Sequence, residues 1–196
     1  MQNNFWFFLL FVIAMTVTPG PGNLAMLALG QTVGFKKSIP FLTGLIAGSV
    51  AVTSLVSIGL GALYINSPRT ASVFKIISVM YIIYLAIKVV RMNVQTPEEV
   101  RPFTIYDGLV LHPLNPKAWA TSIAIFSQFA DPAEPRFLEI GIFVLTFAFT
   151  GLISQSLWGI VGSSLLRAMR THKLRLCINC LMAVLMIGTT LYALYS

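Results

Sequence analysis

The chain has 196 residues, of which 57% are hydrophobic and 10% are charged, and its mean hydropathy is +0.84. This composition supplies too few polar groups to cover a water-soluble surface, so a soluble domain is excluded. The net charge of +7 is better explained by loop lysines and arginines that orient a membrane protein than by a nucleic-acid partner. The predicted partner is the lipid bilayer.

Six hydrophobic segments follow one another along the chain. A helix of about 20 apolar residues crosses the roughly 30 Å of hydrocarbon in a bilayer. The segments that meet this length are residues 5–29, 39–65, 72–90, 104–129, 137–165 and 174–195. They occupy nearly the whole sequence and leave no room for a soluble catalytic domain. The predicted fold class is therefore an all-α integral membrane protein with six transmembrane helices.

The positive charges are distributed unevenly among the loops that join these segments. Of the 13 lysines and arginines, ten fall in the first, third and fifth loops and three in the second and fourth. Without Lys117, which lies inside a predicted span, nine still oppose three. Since positively charged loops remain in the cytoplasm, the odd-numbered loops are predicted to be cytoplasmic and both termini to face outward.

The first span is interrupted by Thr18, Pro19, Gly20, Pro21 and Gly22. Proline has no backbone N–H and glycine permits non-helical dihedral angles, so this segment frees several carbonyl and amide groups. In lipid, such groups are tolerated only where protein or a water-filled cavity satisfies them. We therefore predict a broken helix whose free backbone groups face the inside of the protein.

The fourth span contains a second interruption, the sequence HPLNPK at residues 112–117. A polar linker at residues 92–103 divides one transmembrane domain, residues 1–196, into pseudo-repeats 1–91 and 104–196, and each repeat begins with a broken helix. Because each repeat has three spans, the second enters the membrane from the opposite side, which predicts an inverted repeat. Paired Gly/Pro interruptions in the two halves favour a transporter's substrate site over kinks that merely shape the bundle.

Three polar side chains near these breaks are candidates for function. The Lys117 ammonium is costly inside a membrane unless it faces a cavity or partner, so we favour a role in holding a substrate carboxylate or exchanging a proton over snorkelling. We interpret His112 as an interfacial residue rather than a proton relay. The amide of Gln155 needs a partner within its span, and a polar pathway and an interhelical hydrogen bond are equally compatible with it.

Small residues spaced four apart run along the second and fifth spans, and we interpret most of them as helix-packing positions. Gly44 and Gly48 predict a close approach of two helices. Cys177 and Cys180 cannot complete a four-coordinate zinc site, so neither a metal nor another cofactor is predicted. The aromatic residues Trp6, Trp158, Tyr192 and Tyr195 are interpreted as membrane-interface anchors.

Taken together, the motifs resemble those of the LysE/RhtB-type amino-acid exporter family over essentially the full length. The elements that carry the resemblance are TPGP at residues 18–21, GFKKS at 34–38, YIIYLAIK at 81–88 and NPK at 115–117. The resemblance implies export of amino acids or close derivatives across a bacterial inner membrane, driven by the proton motive force. Members commonly place Asn or Asp directly after TPGP, whereas Gly22 holds that place here and Asn23 follows.

The sequence thus predicts a secondary active exporter that binds substrate between two broken helices. A homo-oligomer is compatible with this prediction. The predicted substrate path comprises Thr18, Pro19, Gly20, Pro21, Gly22, Asn23, Asn115, Pro116, Lys117 and Gln155. The alternatives are a transporter of another small solute or ion, and a non-transporting membrane partner subunit. An intramembrane enzyme is disfavoured, because the sequence has no HExxH or GxSxG motif and no buried pair of acids.

Overall fold

The structure, a computed structural model, describes residues 5–60, 68–92, 103–130, 136–168 and 171–195. These residues form eight α-helices and no strand, as the all-helical prediction expects. The helices are α1 (Phe5–Val17), α2 (Pro21–Val33), α3 (Phe35–Ser57), α4 (Pro68–Arg91), α5 (Ile105–Leu111), α6 (Pro116–Phe129), α7 (Arg136–Ala168) and α8 (His172–Tyr195).

The first predicted break separates α1 from α2, whose axes differ in direction by 51°. Gly20 occupies the N-cap of α2 in an extended conformation, and Pro21 follows as the first helical residue. Proline is well suited to this position, since its fixed φ is helical and its missing N–H has no intrahelical partner there. At the other end of α2, Gly34 has a φ of 84°, which favours glycine, and α3 begins at the next residue.

The second predicted break separates α5 from α6. Helix α5 begins with a capping box, in which the Thr104 hydroxyl accepts from the Asp107 N–H and the Asp107 carboxylate accepts from the Thr104 N–H. Helix α6 begins with Asn115 as N-cap and Pro116 as its first residue. Both helix starts are therefore determined by local sequence, and the start of α6 lies within the predicted interruption at residues 112–117.

Four of the described helices are long and apolar enough to cross a membrane, or five if α1 and α2 form one bent span. The predicted fourth span consists of the shorter helices α5 and α6, which this count does not include. Six spans in an inverted repeat therefore remain a prediction. The predicted second span was too long, because α3 ends at Ser57 and Gly59 follows with a φ of 96°. Residues 61–65 of that span and 93–102 of the linker lie outside the described residues.

The two halves of the chain pack crosswise. Helices α1 and α2 of the first half lie on α7 of the second, and α5 and α6 of the second half lie on α3 of the first. Glycines make both crossings close. A Cβ atom at Gly30 or Gly162 would overlap backbone across the α2–α7 crossing, and one at Gly44 or Gly108 would do so between α3 and α5. The close approach predicted at Gly44 is thus confirmed.

Asp107 ties α5 to α4. Its carboxylate lies 2.7 Å from the Lys88 ammonium and 3.3 Å from the Tyr84 hydroxyl, and its backbone carbonyl accepts a 2.7 Å hydrogen bond from the Tyr81 hydroxyl. All three partners belong to the sequence YIIYLAIK at residues 81–88. This motif on α4 therefore holds α5, the first helix of the second half of the chain.

Buried residues form two apolar clusters, a large one centred on α2, α3, α4 and α8 and a smaller one that joins α1, α6 and α7. Bulky apolar side chains also cover the outside of the protein. On α4 they are Val73, Ile76, Ile77, Met80, Ile83 and Ile87. A continuous exposed apolar face of this kind is typical of contact with lipid.

Candidate functional site

A cavity of about 70 Å³ lies between the two breaks. It is lined by residues from α1, α2, α3, α6 and α7 and from the two interrupted segments. Both helices that begin at the breaks contribute residues of their first turn, Gly22 and Asn23 from α2 and Lys117 and Ala118 from α6. The positive ends of two helix dipoles therefore border the same space, which favours an anionic group there.

The carbonyl groups freed at the end of α1 are bound by side chains. The Asn23 amide donates hydrogen bonds to the carbonyls of Thr16 and Thr18, at 2.8 and 3.1 Å. The Ser154 hydroxyl donates to the Thr16 carbonyl at 2.9 Å, and the Trp158 indole to the Val17 carbonyl at 3.3 Å. Ser154 and Trp158 belong to α7, so the second half of the chain completes the first break.

Lys117 also binds the first break. Its ammonium donates to the Thr18 carbonyl at 2.9 Å and to the Pro19 carbonyl at 3.4 Å. Its side chain lies so close to Gly20 that a Cβ there would be 3.3 Å from Lys117 Cδ. The negative end of the α1 dipole favours the positive charge at this place. Since an ammonium has three N–H groups, one remains for a ligand in the cavity.

The second break is stabilised by residues within it. The Asn115 side-chain oxygen accepts a 3.1 Å hydrogen bond from the Lys117 N–H, and the Asn115 N–H donates to the His112 carbonyl at 3.0 Å. The Trp119 indole donates to the Pro113 carbonyl at 2.8 Å. The cavity wall on this side is therefore a turn held by its own sequence.

His112, which we interpreted from the sequence as an interfacial residue, has its side chain in the cavity. The Nε2 atom of His112 lies 3.2 Å from the amide nitrogen of Gln155. The Gln155 residue is only 5% exposed. Within the part of the chain that the structure describes, His112 Nδ1 and Gln155 Oε1 are buried and form no hydrogen bond. The turn before α6 thus directs His112 toward α7, and its interfacial position stays a prediction.

Seven of the ten residues of the predicted substrate path line the cavity. They are Thr18, Gly20, Gly22, Asn23, Asn115, Lys117 and Gln155. The other three, Pro19, Pro21 and Pro116, belong to the breaks and are not part of the lining. The structure therefore brings together the two segments that the sequence singled out independently.

The predicted substrate path omitted six polar residues of the lining, namely Thr16, Ser49, Thr53, His112, Thr121 and Ser122. Ser49 and Thr53 belong to the stripe of small residues that we interpreted as packing positions, and the Thr53 hydroxyl lies 3.5 Å from that of Ser122. A stripe of small hydroxyl residues opposite a break would have been a usable signal. Trp158, interpreted as an interface anchor, donates a hydrogen bond to the first break.

The described lining contains two ionisable side chains, His112 and Lys117, and no aspartate or glutamate. Apolar contacts come from Met15, Val52 and Phe147. Among the described residues, no group of histidines, cysteines or acids is placed to hold a metal ion, and Cys177 and Cys180 are exposed free thiols. The arrangement suits a small molecule with an anionic group and an apolar side chain.

Comparison with known proteins shows a family and several relatives. The family model described as LysE type translocator matches residues 13–196. A protein of Vibrio cholerae described as an uncharacterized membrane protein is 30% identical over 163 residues, which cover 76% of this chain and 80% of the relative. No solved structure matches the chain significantly.

Other relatives carry the name leucine efflux protein. That of Enterobacter is 27% identical over 65% of this chain and 64% of its own length. That of Salmonella typhimurium is 26% identical over 72% of this chain and 70% of its own length. The family match covers nearly the whole sequence, and a translocator family agrees with the apolar exterior. The chain is a multi-pass membrane protein that belongs to the LysE type translocator family.

Proposed function

We propose that this protein is a secondary active transporter that exports neutral, apolar amino acids across the bacterial inner membrane, in exchange for protons. The observation that carries the proposal is the cavity between the two breaks, which offers positive groups at one side and no carboxylate in its described lining. The relatives named leucine efflux protein support the same substrate class.

The carboxylate of the substrate binds, in this proposal, at the starts of α2 and α6. Two helix N-termini and the third N–H of Lys117 favour an anion there. The substrate side chain contacts Met15, Val52 and Phe147. A lysine or arginine substrate would bring a second positive charge into a site whose described lining holds Lys117 and no acid, so basic amino acids are excluded by electrostatic repulsion.

Alternating access follows from the proposed inverted repeat in one domain, with repeats 1–91 and 104–196. Each broken helix packs on the long second helix of the opposite half, so the two halves can rock about the cavity. The loop charges favour an orientation with both termini outside the cytoplasm. Lys117 reaches across from one half to the other and closes the first break in the described state.

The proposal is tested by export from cells loaded with radiolabelled leucine, alanine, lysine or glutamate, with and without the protein. We expect export of leucine and no export of lysine. Lys117→Ala should lower leucine export by about 100-fold, because the variant loses both the carboxylate partner and the ligand of two carbonyls. The matched control is Lys37→Ala, at an exposed position in the first turn of α3, and should export as the wild type does.

Export of lysine at the rate of leucine would contradict the proposed substrate class. Undiminished leucine export by a well-expressed Lys117→Ala variant would remove Lys117 from the substrate path. If no amino acid leaves the cells faster than in the absence of the protein, the proposed function is wrong.

A further inference from the structure

His112 and Gln155 form a pair in the cavity that the proposed carboxylate site does not use. We infer that this pair binds the ammonium group of the substrate and the coupling proton at the same place, so that each excludes the other. The inference rests on the proposed function and assigns the proton-carrying group within it. Its basis is the 3.2 Å contact between the two side chains and the two buried atoms, His112 Nδ1 and Gln155 Oε1, that lack a partner among the described residues.

A neutral His112 leaves one acceptor free in either tautomer. When Nδ1 carries the proton, Nε2 accepts from the Gln155 amide nitrogen, and Gln155 Oε1 remains free. When Nε2 carries the proton, it donates to Oε1 of a rotated amide, and His112 Nδ1 remains free. In both cases, the pair offers a buried acceptor to a substrate ammonium.

Protonation of His112 removes this site. Both imidazole nitrogens then become donors, and Nε2 needs Oε1 of Gln155 as its acceptor. The ring also acquires a positive charge, which repels an ammonium in a cavity of low dielectric constant. The cavity can therefore hold the substrate or the proton at this pair, but not both, and this competition is what an antiporter requires.

Other charges around the cavity do not replace His112 in this role. From α1, α2, α3 and α7, the described lining contributes no ionisable side chain, and α6 contributes Lys117, whose ammonium is bound to two carbonyls. Asp107 lies on α5, the helix that ends just before His112, and its carboxylate is paired with Lys88. His112 is thus the ionisable side chain of the described lining that is not bound to a backbone carbonyl.

The proton balance of one cycle follows directly. After the substrate leaves toward the outside, a proton from the outer water binds the neutral imidazole, and the halves rearrange. The proton then leaves to the cytoplasm, which restores a neutral His112 for the next substrate. One proton enters for each substrate exported, and no covalent bond to the substrate is made or broken.

The test uses purified full-length protein in vesicles of phosphatidylethanolamine and phosphatidylglycerol, with two measurements. The first is accumulation of radiolabelled leucine driven by an acid interior, and the second is exchange of labelled for unlabelled leucine without a pH gradient. We expect His112→Gln to lose about 100-fold in driven accumulation, since the proton carrier is absent. Exchange should fall by about tenfold at most, because the new amide retains an acceptor for the ammonium although the binding pair itself is changed. The matched control, His172→Gln, changes the chain's other histidine, at the start of α8, and should alter neither measurement.

A second measurement remains decisive if His112→Gln does not fold. Leucine binding to the wild type in detergent should weaken by about tenfold per pH unit once His112 is mostly protonated, because only the neutral fraction binds. Binding by the wild type that is independent of pH from about 8 down to about 3, a range that covers the titration of histidines in folded proteins, would overturn the inference.

The remaining outcomes are equally clear. Driven accumulation by His112→Gln at the wild-type rate would overturn the inference and leave the proposed function intact. Loss of both accumulation and exchange in a well-folded His112→Gln variant would also overturn it, since His112 would then act in substrate binding or structure alone. If the wild type shows neither driven accumulation nor exchange of any neutral amino acid, the proposed function itself is wrong, and the inference fails with it.

Discussion

The two breaks face the same cavity but are stabilised in different ways. At the first, Gly20 caps α2 without a side chain, and the carbonyls at the end of α1 depend on Asn23 and on residues of the second half, Ser154, Trp158 and Lys117. At the second, Asn115 caps its own helix, and the turn is closed by hydrogen bonds among residues 110–119.

This difference in hydrogen bonding suggests different roles for the two breaks in the transport cycle. A turn that satisfies its own backbone can keep its shape while the surroundings move, so the second break is suited to carry His112 and Lys117 as a rigid unit. The first break changes its hydrogen bonds whenever α6 or α7 moves relative to α1. We therefore expect the first break to respond to the state of the transporter and the second to remain constant.

The largest expected difference in stability between the two breaks comes from changing Asn23 or Asn115 to aspartate. The Asn23 side chain donates to two carbonyls, and a carboxylate cannot donate, so Asn23→Asp places a buried charge against carbonyl oxygens. We expect it to lower the free energy of unfolding by about 3 kcal/mol and to abolish leucine export. Thermal unfolding in one detergent, together with the export assay, measures both effects.

Asn115→Asp is the matched control for that change. The Asn115 oxygen accepts from the Lys117 N–H at a helix N-terminus, where a carboxylate accepts at least as well, so stability should stay within about 1 kcal/mol of the wild type. An equal loss of stability in the two aspartate variants would show that the breaks do not differ as described.

A smaller effect is expected from removing the cap of the second break. Asn115→Ala leaves an N–H at the start of α6 without its acceptor and should cost about 1 kcal/mol. Asn115→Ser supplies a hydroxyl oxygen at the same position and should recover most of the stability. Unfolding midpoints of the two variants provide the comparison. Equal midpoints for alanine and serine would argue against a capping role for Asn115.

The smallest effect is expected at Ser154. Its hydroxyl shares the Thr16 carbonyl with Asn23, so Ser154→Ala leaves that carbonyl bound and should cost at most about 1 kcal/mol. In an Asn23→Ala background the same change removes the second donor as well, and we expect it to cost more than it does alone. A double-mutant cycle on the unfolding free energy measures this coupling, and strict additivity would contradict the shared-acceptor arrangement.

Much of the candidate site could be predicted from sequence because the breaks are chemically local. Closely spaced prolines and glycines disfavour a continuous helix through their own backbone chemistry, so the interruptions at residues 18–22 and 112–117 can be recognised without knowledge of their neighbours. The polar wall opposite the breaks could not be predicted in the same way. Ser49 and Thr53 have the sizes that helix packing also requires, so their types alone do not distinguish packing from lining.

Composition alone established a membrane protein, because 57% hydrophobic residues cannot be covered by 10% charged ones. The sequence also determined where the helices break, since the breaks follow from residue types, and it predicts that Lys117 lies within a span. Only the tertiary structure decided which groups meet: the Lys117 ammonium reaches Thr18, 99 residues away, and His112 meets Gln155, 43 residues away. Such contacts depend on how the helices cross, and the crossing is set by packing between the two halves, which no local pattern records.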